Sequence, residues 1–103
     1  METGITIETR VAIIGIIVDD INSVEKLNNI LHEYGNYIIG RMGIPYKEKH
    51  ISIISIAVDA PNDIISALSG KLGRLQGVSA KAVYSKLPTK EDSSDSDGTG
   101  GGV

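Results

Sequence analysis

The chain has 103 residues with no Cys, Trp or Phe, and its formal net charge at pH 7 is −3. This length favours one domain, and the missing Cys excludes disulfides, thiolate metal sites and a Cys nucleophile. Residues 1–86 contain nine basic and nine acidic groups, so the negative excess lies in the segment from Leu87 onward. A neutral body with an acidic tail attracts phosphates poorly, which argues against direct nucleic-acid binding.

The two ends of the chain differ in composition from its body. We expect residues 1–9 to form a lead-in, residues 10–86 one domain, and residues 87–103 a disordered acidic tail rich in Gly, Ser and Asp. The first ten residues contain Glu2 and Glu8 and do not read as a secretory leader. The longest apolar run, Val11 to Val18, is too short to span a membrane, so we expect a cytoplasmic protein.

The first part of the body predicts a strand followed by a helix. The strand, residues 11–18, is apolar on both faces, because Val11, Ile13 and Ile17 alternate with Ala12, Ile14, Ile16 and Val18. Asn22 followed by Glu25 predicts a capping-box start of the helix, and Gly35 predicts its left-handed end. The inward face of this helix consists of Val24, Leu27, Ile30, Leu31 and Tyr34.

The rest of the body predicts two strands, a second helix and a last strand. Residues 37–46 contain two glycines and Pro45, which is typical of an edge strand. A charged turn at residues 47–49 leads to a strongly apolar strand over residues 50–59. Pro61 fits the first turn of the second helix, and Gly73 its end. That helix turns Ile64, Ile65, Leu68 and Leu72 inward, and residues 77–86 form the last strand.

The resulting order is β-α-β-β-α-β, which predicts an α+β, ferredoxin-like sandwich. In that arrangement the first and third strands are central, and they are also the two strands that are apolar on both faces. Two helices cover one face of a four-stranded antiparallel sheet, so the other face is left as an apolar patch. We therefore expect a homo-oligomer, either a dimer or a tetramer, in which sheets pair by face or by edge.

Two segments are candidate ligand-binding sites. The first follows the first strand at the mouth of the first helix, where backbone N–H groups and acidic side chains can meet a small ligand. In the second, an Arg between two glycines can anchor an anion where the backbone permits close approach. An ordinary helix start and a bent edge strand explain the same residues. The candidate residues are Asp19, Asp20, Asn22, Ser23, Gly40, Arg41 and Gly43.

Groups for catalysis or metal binding are not recognisable in the sequence. His32 and His50 are the only histidines, and their spacing matches no metal motif. The serines lack a His and Asp partner pattern, and neither a P-loop nor a dinucleotide fingerprint is present. The sequence therefore predicts a protein that is not an enzyme and has no cofactor.

The segment Gly40-Arg41-Met42-Gly43-Ile44-Pro45-Tyr46 is the most specific sequence feature of the body. Five further segments belong with it: residues 10–18, 30–35, 51–55, 70–73 and 77–79. Together, over about residues 9–86, these segments resemble the iron-only hydrogenase system regulator family. The family is similar in fold to ACT domains and to the C-terminal domain of nickel-responsive regulators.

The resemblance implies a bacterial cytoplasmic protein tied to the production or maturation of [FeFe]-hydrogenase. ACT-like relatives bind amino acids or similar effectors where the first strand-to-helix loop meets a neighbouring subunit. By position that loop is residues 19–23, facing a partner's second strand. ACT domains often have a glycine early in this loop, whereas this chain has Ile21, Asn22 and Ser23. Nickel sensing does not carry over, because it needs a His and Cys cluster.

Two functions follow from the resemblance and the fold. The first is a homo-oligomeric regulator that senses a small effector at a subunit interface. The alternative is a protein-interaction module that docks a hydrogenase maturation or transcription partner without a ligand. The chain lacks a recognisable DNA-binding segment, so regulation of transcription would require another protein.

Overall fold

The computed structural model describes residues 8–86, which form four strands and two α-helices. The predicted acidic tail, residues 87–103, lies outside the described residues, as do residues 1–7 of the predicted lead-in. Short 3-10 turns occupy Ile21–Ser23, Gly35–Tyr37 and Lys47–Lys49. The strands and helices are β1 (Arg10–Val18), α1 (Val24–Glu33), β2 (Ile38–Tyr46), β3 (Ile51–Ala60), α2 (Asn62–Gly73) and β4 (Val78–Tyr84).

The strands form one antiparallel sheet in the order β2-β3-β1-β4. This order and the two helices give the predicted ferredoxin-like βαββαβ sandwich. β1 and β3 are central, as their apolar residues on both faces predicted, and β2 is an edge strand. Ile14 pairs with Ile56 in β3 and with Ala82 in β4, which puts the middle of β1 at the centre of the sheet.

The hydrophobic core lies between the sheet and the two helices. Alternate residues of β1 and β3 enter it, because side chains in a strand point to opposite faces with a period of two. Ile14, Ile56, Ile65 and Leu72 are fully buried there. The core is completed by Ala12, Ile16, Val18, Leu27, Leu31, Ile54, Val58, Ala60, Leu68 and Val78. The buried residues of both helices are all among those predicted to face inward, so the prediction is confirmed for these residues.

The opposite side of the sheet, here called the open face, is apolar and exposed. Register pairs place Ile17 beside Ile53, and Ile53 beside Ile44, on this side. The large apolar side chains of the open face are between 40% and 70% exposed in the described part of the chain. They are Val11, Ile13, Ile17, Met42, Ile44, Tyr46, Ile53 and Val83.

The local signals for helix ends were wrong at two places. Asn22 does not cap α1: Asp20 Oδ1 instead accepts a hydrogen bond from the Asn22 N–H at 2.9 Å, and α1 starts only at Val24. Gly35 is not left-handed, because the chain continues from α1 into a right-handed 3-10 turn, whereas α2 ends at Gly73 as predicted. Among the described residues, positive φ occurs at His50 (56°) and Gly77 (71°).

Pro61 also lies one position earlier than predicted, because it caps α2 rather than occupying its first turn. None of the helices within residues 8–86 is long and apolar enough to cross a membrane.

Candidate functional site

A cleft of about 610 Å³ lies where the loop between β1 and α1 faces the turn between β2 and β3. Its floor is the end of the helix-facing side of the sheet, where Val18 pairs with Ser52 and Ser52 with Pro45. This volume lies within the roughly 300–1,000 Å³ of small-molecule sites. The lining residues are Val18, Asp19, Asp20, Ile21, Val24, Pro45, Tyr46, Lys47, His50, Ile51 and Ser52.

The cleft has carboxylates on one side and basic groups on the other. Asp19 and Asp20 come from the β1–α1 loop, whereas Lys47 and His50 come from the β2–β3 turn. Tyr46 also lines the cleft, and a hydrogen bond with the Glu48 carboxylate raises the pKa of Tyr46 above its ordinary value. A cleft with apolar walls and with both acidic and basic side chains suits a small ligand that has a positive and a negative group.

Two hydrogen bonds attach the β1–α1 loop to the segment that leads into β4. The Asp19 N–H donates to the Gly77 carbonyl at 2.8 Å, and the Ser23 hydroxyl donates to the Gln76 carbonyl at 2.6 Å. A Cβ at Gly77 would lie 2.6 Å from Asp19 Oδ1 and 2.6 Å from Asp20 Cβ. Gly77 thus permits a contact that fixes the acidic side of the cleft.

Replacing Ser23 with Ala tests this attachment. Ser23 is only 4% exposed, so loss of its hydrogen bond to Gln76 is expected to lower the free energy of unfolding by about 1 kcal/mol. Urea denaturation at fixed protein concentration measures the change. Ser66→Ala, at an exposed position of α2, is the matched control and should be neutral or slightly stabilising. Equal stability of the two variants would show that this hydrogen bond does not hold the loop.

A second, smaller groove of about 240 Å³ adjoins the cleft and shares Val18, Val24, Pro45 and Ser52 with it. It lies between α1 and the edge strand β2. Arg41 Nη2 donates to Asn28 Oδ1 at 2.9 Å across this groove, and Gly43 lies opposite Ile54. The remaining lining residues are Leu27 and Ile44.

The predicted site residues therefore separate into different places. Asp19 and Asp20 line the cleft, and Arg41 and Gly43 line the adjoining groove. Asn22 and Ser23 line neither: Asn22 is exposed, and Ser23 turns toward Gln76. Gly40 lies beyond the groove, opposite Ala57 and next to a register shift in β2.

Sequence reasoning missed the basic side of the cleft. Lys47 and His50 belong to a charged turn that looks like an ordinary hairpin connection. No local sequence signal marks these two residues; in the structure His50 has a left-handed backbone, a conformation in which Asn, Asp and His are enriched. A metal site receives no support within residues 8–86, where no three His, Asp or Glu side chains come together.

Known proteins share this fold and much of this sequence. Residues 10–82 match the family model TM1266-like, described as "Iron-only hydrogenase system regulator, putative". A solved structure of the uncharacterized protein TM1266 from Thermotoga maritima is 39% identical, with a TM-score of 0.74. That similarity covers 77% of this chain and 100% of the other. No curated protein matches this chain.

Proposed function

The chain belongs to the TM1266-like family of iron-only hydrogenase system regulators, and on that premise we propose that it senses a small effector as a homo-oligomer. The effector binds in the cleft between the β1–α1 loop and the β2–β3 turn. The protein works in the bacterial cytoplasm and transmits the effector's presence to a partner instead of catalysing a reaction. The observation that carries this proposal is the 610 Å³ cleft with charged groups of both signs.

The open face supports the homo-oligomer. Four strands of up to ten residues present a face of roughly 30 Å by 19 Å, or about 570 Å² in projection, whose apolar residues flank a row of Lys81, Gly15 and Ser55. Monomeric proteins seldom leave contiguous apolar patches larger than a few hundred Å² in water. A stable interface takes about 800 Å² of accessible surface from each partner, which side chains on a face of this size can supply. A second copy of this chain, packed sheet against sheet, buries these residues.

The open face and the cleft meet at one corner of the sheet. Tyr46 and Ile51 pair with each other at the end of β2 and β3, and both line the cleft. Tyr46 lies on the same side of β2 as Ile44, because the two residues are two positions apart. A neighbouring subunit on the open face therefore lies beside the cleft, so a bound effector can change how the subunits pack.

Thermal unfolding against a panel of amino acids, nucleotides, iron–sulfur precursors and divalent metals tests the sensor. A ligand at about 100 times its dissociation constant adds roughly 2.7 kcal/mol of stability. For a domain of this size that shifts the midpoint by about 10 °C or more. Protein concentration is held fixed, because oligomers melt in a concentration-dependent way.

The variant Asp19→Asn tests whether the stabilising compound binds in the cleft. This change removes a charge from the cleft while keeping the shape of the side chain, and it should weaken binding of the stabilising compound at least fivefold. Asp63→Asn, in the first turn of α2, is the matched control and should leave binding unchanged. A panel without any shift would contradict the sensor and favour the alternative, in which the protein docks a hydrogenase-related partner without a ligand.

A further inference from the structure

The groove between α1 and β2 borders the apolar core, because the buried residues Leu27 and Ile54 form part of its lining. The residues of β2 opposite the buried side of β3 are Arg41, Gly43 and Pro45, which pair with Ile56, Ile54 and Ser52. Gly43 has no side chain, Arg41 is charged at its end, and Pro45 contributes only its short ring. A Cβ at Gly43 would still lie 3.9 Å from Ile54 Cγ1, an ordinary contact distance. The space above Ile54 is therefore free for an apolar group.

The charge at this groove is positive and comes from one residue. Arg41 is the only charged residue among the described residues that line it. Its hydrogen bond to Asn28 holds the guanidinium at the rim, and no carboxylate of residues 8–86 forms a salt bridge with it. An Arg guanidinium matches a carboxylate in a two-pronged geometry, and the remaining N–H groups stay available for that contact.

From this pairing of a cationic rim with an apolar floor, we infer that the groove binds the carboxylate of a small aliphatic acid. Arg41 binds the carboxylate, and the alkyl chain lies over Ile54, Gly43 and Pro45 toward Val18, where the groove opens into the cleft. The inference rests on the proposed small-molecule sensing and names the chemical class of ligand for this part of the site. Within residues 8–86 no carboxylate of the protein lines this groove, whereas Asp19 and Asp20 line the cleft beside it.

A series of straight-chain acids from butanoate to octanoate, titrated into the full-length protein and followed by NMR, tests the inference. Burial of one methylene is worth about 0.8 kcal/mol, so each added methylene should tighten binding about fourfold until the groove is full. The methyl signals of Val24, Leu27 and Ile54 should move, and those of Ile13 and Ile17 on the open face should not. 1-Octanol and octylamine should bind at least tenfold more weakly than octanoate.

Two variants locate the binding. Arg41→Gln should weaken octanoate at least tenfold and remove its advantage over 1-octanol, whereas Arg74→Gln on α2 should change neither. Gly43→Leu fills the space above Ile54 and should also weaken octanoate; a thermal melt shows whether this variant is folded. If Gly43→Leu is unfolded, the measured affinity of Arg41→Gln for octanoate still tests the inference.

The outcomes separate the two proposals. Octanoate binding that moves the methyl groups of the open face, or that is equal in wild type and Arg41→Gln, would overturn the inference. If the acids do not bind while another compound stabilises the protein and needs Asp19, the inference fails and the sensing function stands. If neither the acids nor any compound of the panel binds, both fail.

Discussion

Gly77→Ala is expected to lower the free energy of unfolding by about 2–4 kcal/mol, because the new methyl group meets both a conformational and a steric obstacle. Gly77 has a φ of 71°, a left-handed conformation that costs other residues roughly 1–2 kcal/mol. The added Cβ would also lie 2.6 Å from Asp20 Cβ and 3.1 Å from the Asp20 backbone nitrogen. Backbone atoms cannot rotate away, so the β1–α1 loop must shift.

Chemical denaturation of wild type and Gly77→Ala at one protein concentration measures this loss. Gly73→Ala is the matched control, because Gly73 has no neighbour within 4 Å and no positive φ. That substitution should be neutral or stabilise α2 by a few tenths of a kcal/mol. The effector that stabilises wild type should also bind Gly77→Ala more weakly, since the acidic side of the cleft moves with the loop. Unfolding midpoints that differ little between the two variants would contradict the tight contact.

Ile17→Asp is expected to convert the proposed homo-oligomer into a monomer. Ile17 lies on the central strand β1, toward the cleft end of the open face, where it pairs with Ile53 on β3 and Ser79 on β4. In a two-fold sheet-to-sheet interface, this change places an unpaired carboxylate from each subunit in an apolar contact, which costs several kcal/mol. Within a single subunit the cost is small, because Ile17 is 46% exposed there.

Analytical ultracentrifugation over a range of concentrations measures the change. The wild type should sediment as a dimer or tetramer with a melting midpoint that rises with concentration, and Ile17→Asp should sediment as a monomer without that dependence. Ala67→Asp adds the same charge on the exposed side of α2 and should leave the assembly intact. If the wild type stays monomeric, the homo-oligomer is contradicted. The open face would then be available to a different protein, which supports the docking alternative.

The proposed function requires that ligand binding affect assembly, and the positions of the cleft and the open face are compatible with this requirement. The two surfaces meet at Tyr46 and Ile51, so an effector in the cleft contacts the rim of the proposed interface. Allosteric control requires that a ligand interact differently with two states of the protein. In the proposed function those states are two packings of the subunits, and Tyr46 and Ile51 are the residues common to the cleft lining and the end of the β2–β3 pair.

Prediction from sequence succeeded where the information is local and periodic. Alternation in β1 assigned Ile14 and Ile16 to the core and Ile13 and Ile17 to the other side, because side-chain direction follows from strand geometry alone. The central position of β1 and β3 was likewise predictable from strands that are apolar on both faces. The two Gly residues and Pro45 marked β2 as an edge strand because Pro lacks the N–H that a central ladder needs.

Prediction failed where a distant segment decides the local conformation. The hydroxyl of Ser23 is taken by the Gln76 carbonyl, 53 residues away, and Asp20 caps the 3-10 turn before α1, whereas Asn22 was expected to cap α1 itself. Gly35 looks like a left-handed helix end, but the chain continues there through a right-handed turn. The left-handed glycine is Gly77, because only a residue without a Cβ fits against the Asp19–Asp20 loop.

The sequence by itself determined the ferredoxin-like architecture, the two central strands, the apolar open face and the acidic side of the cleft. These features depend on side-chain periodicity and on the order of elements, both of which are properties of short stretches of chain. Only the tertiary structure brought Lys47 and His50 opposite Asp19, and only it separated Arg41 and Gly43 into an adjoining groove. The first grouping depends on the β1–β3 register, which puts Val18 opposite Ser52, and the second on the contact of Arg41 in β2 with Asn28 in α1. Both join segments that are not adjacent in sequence.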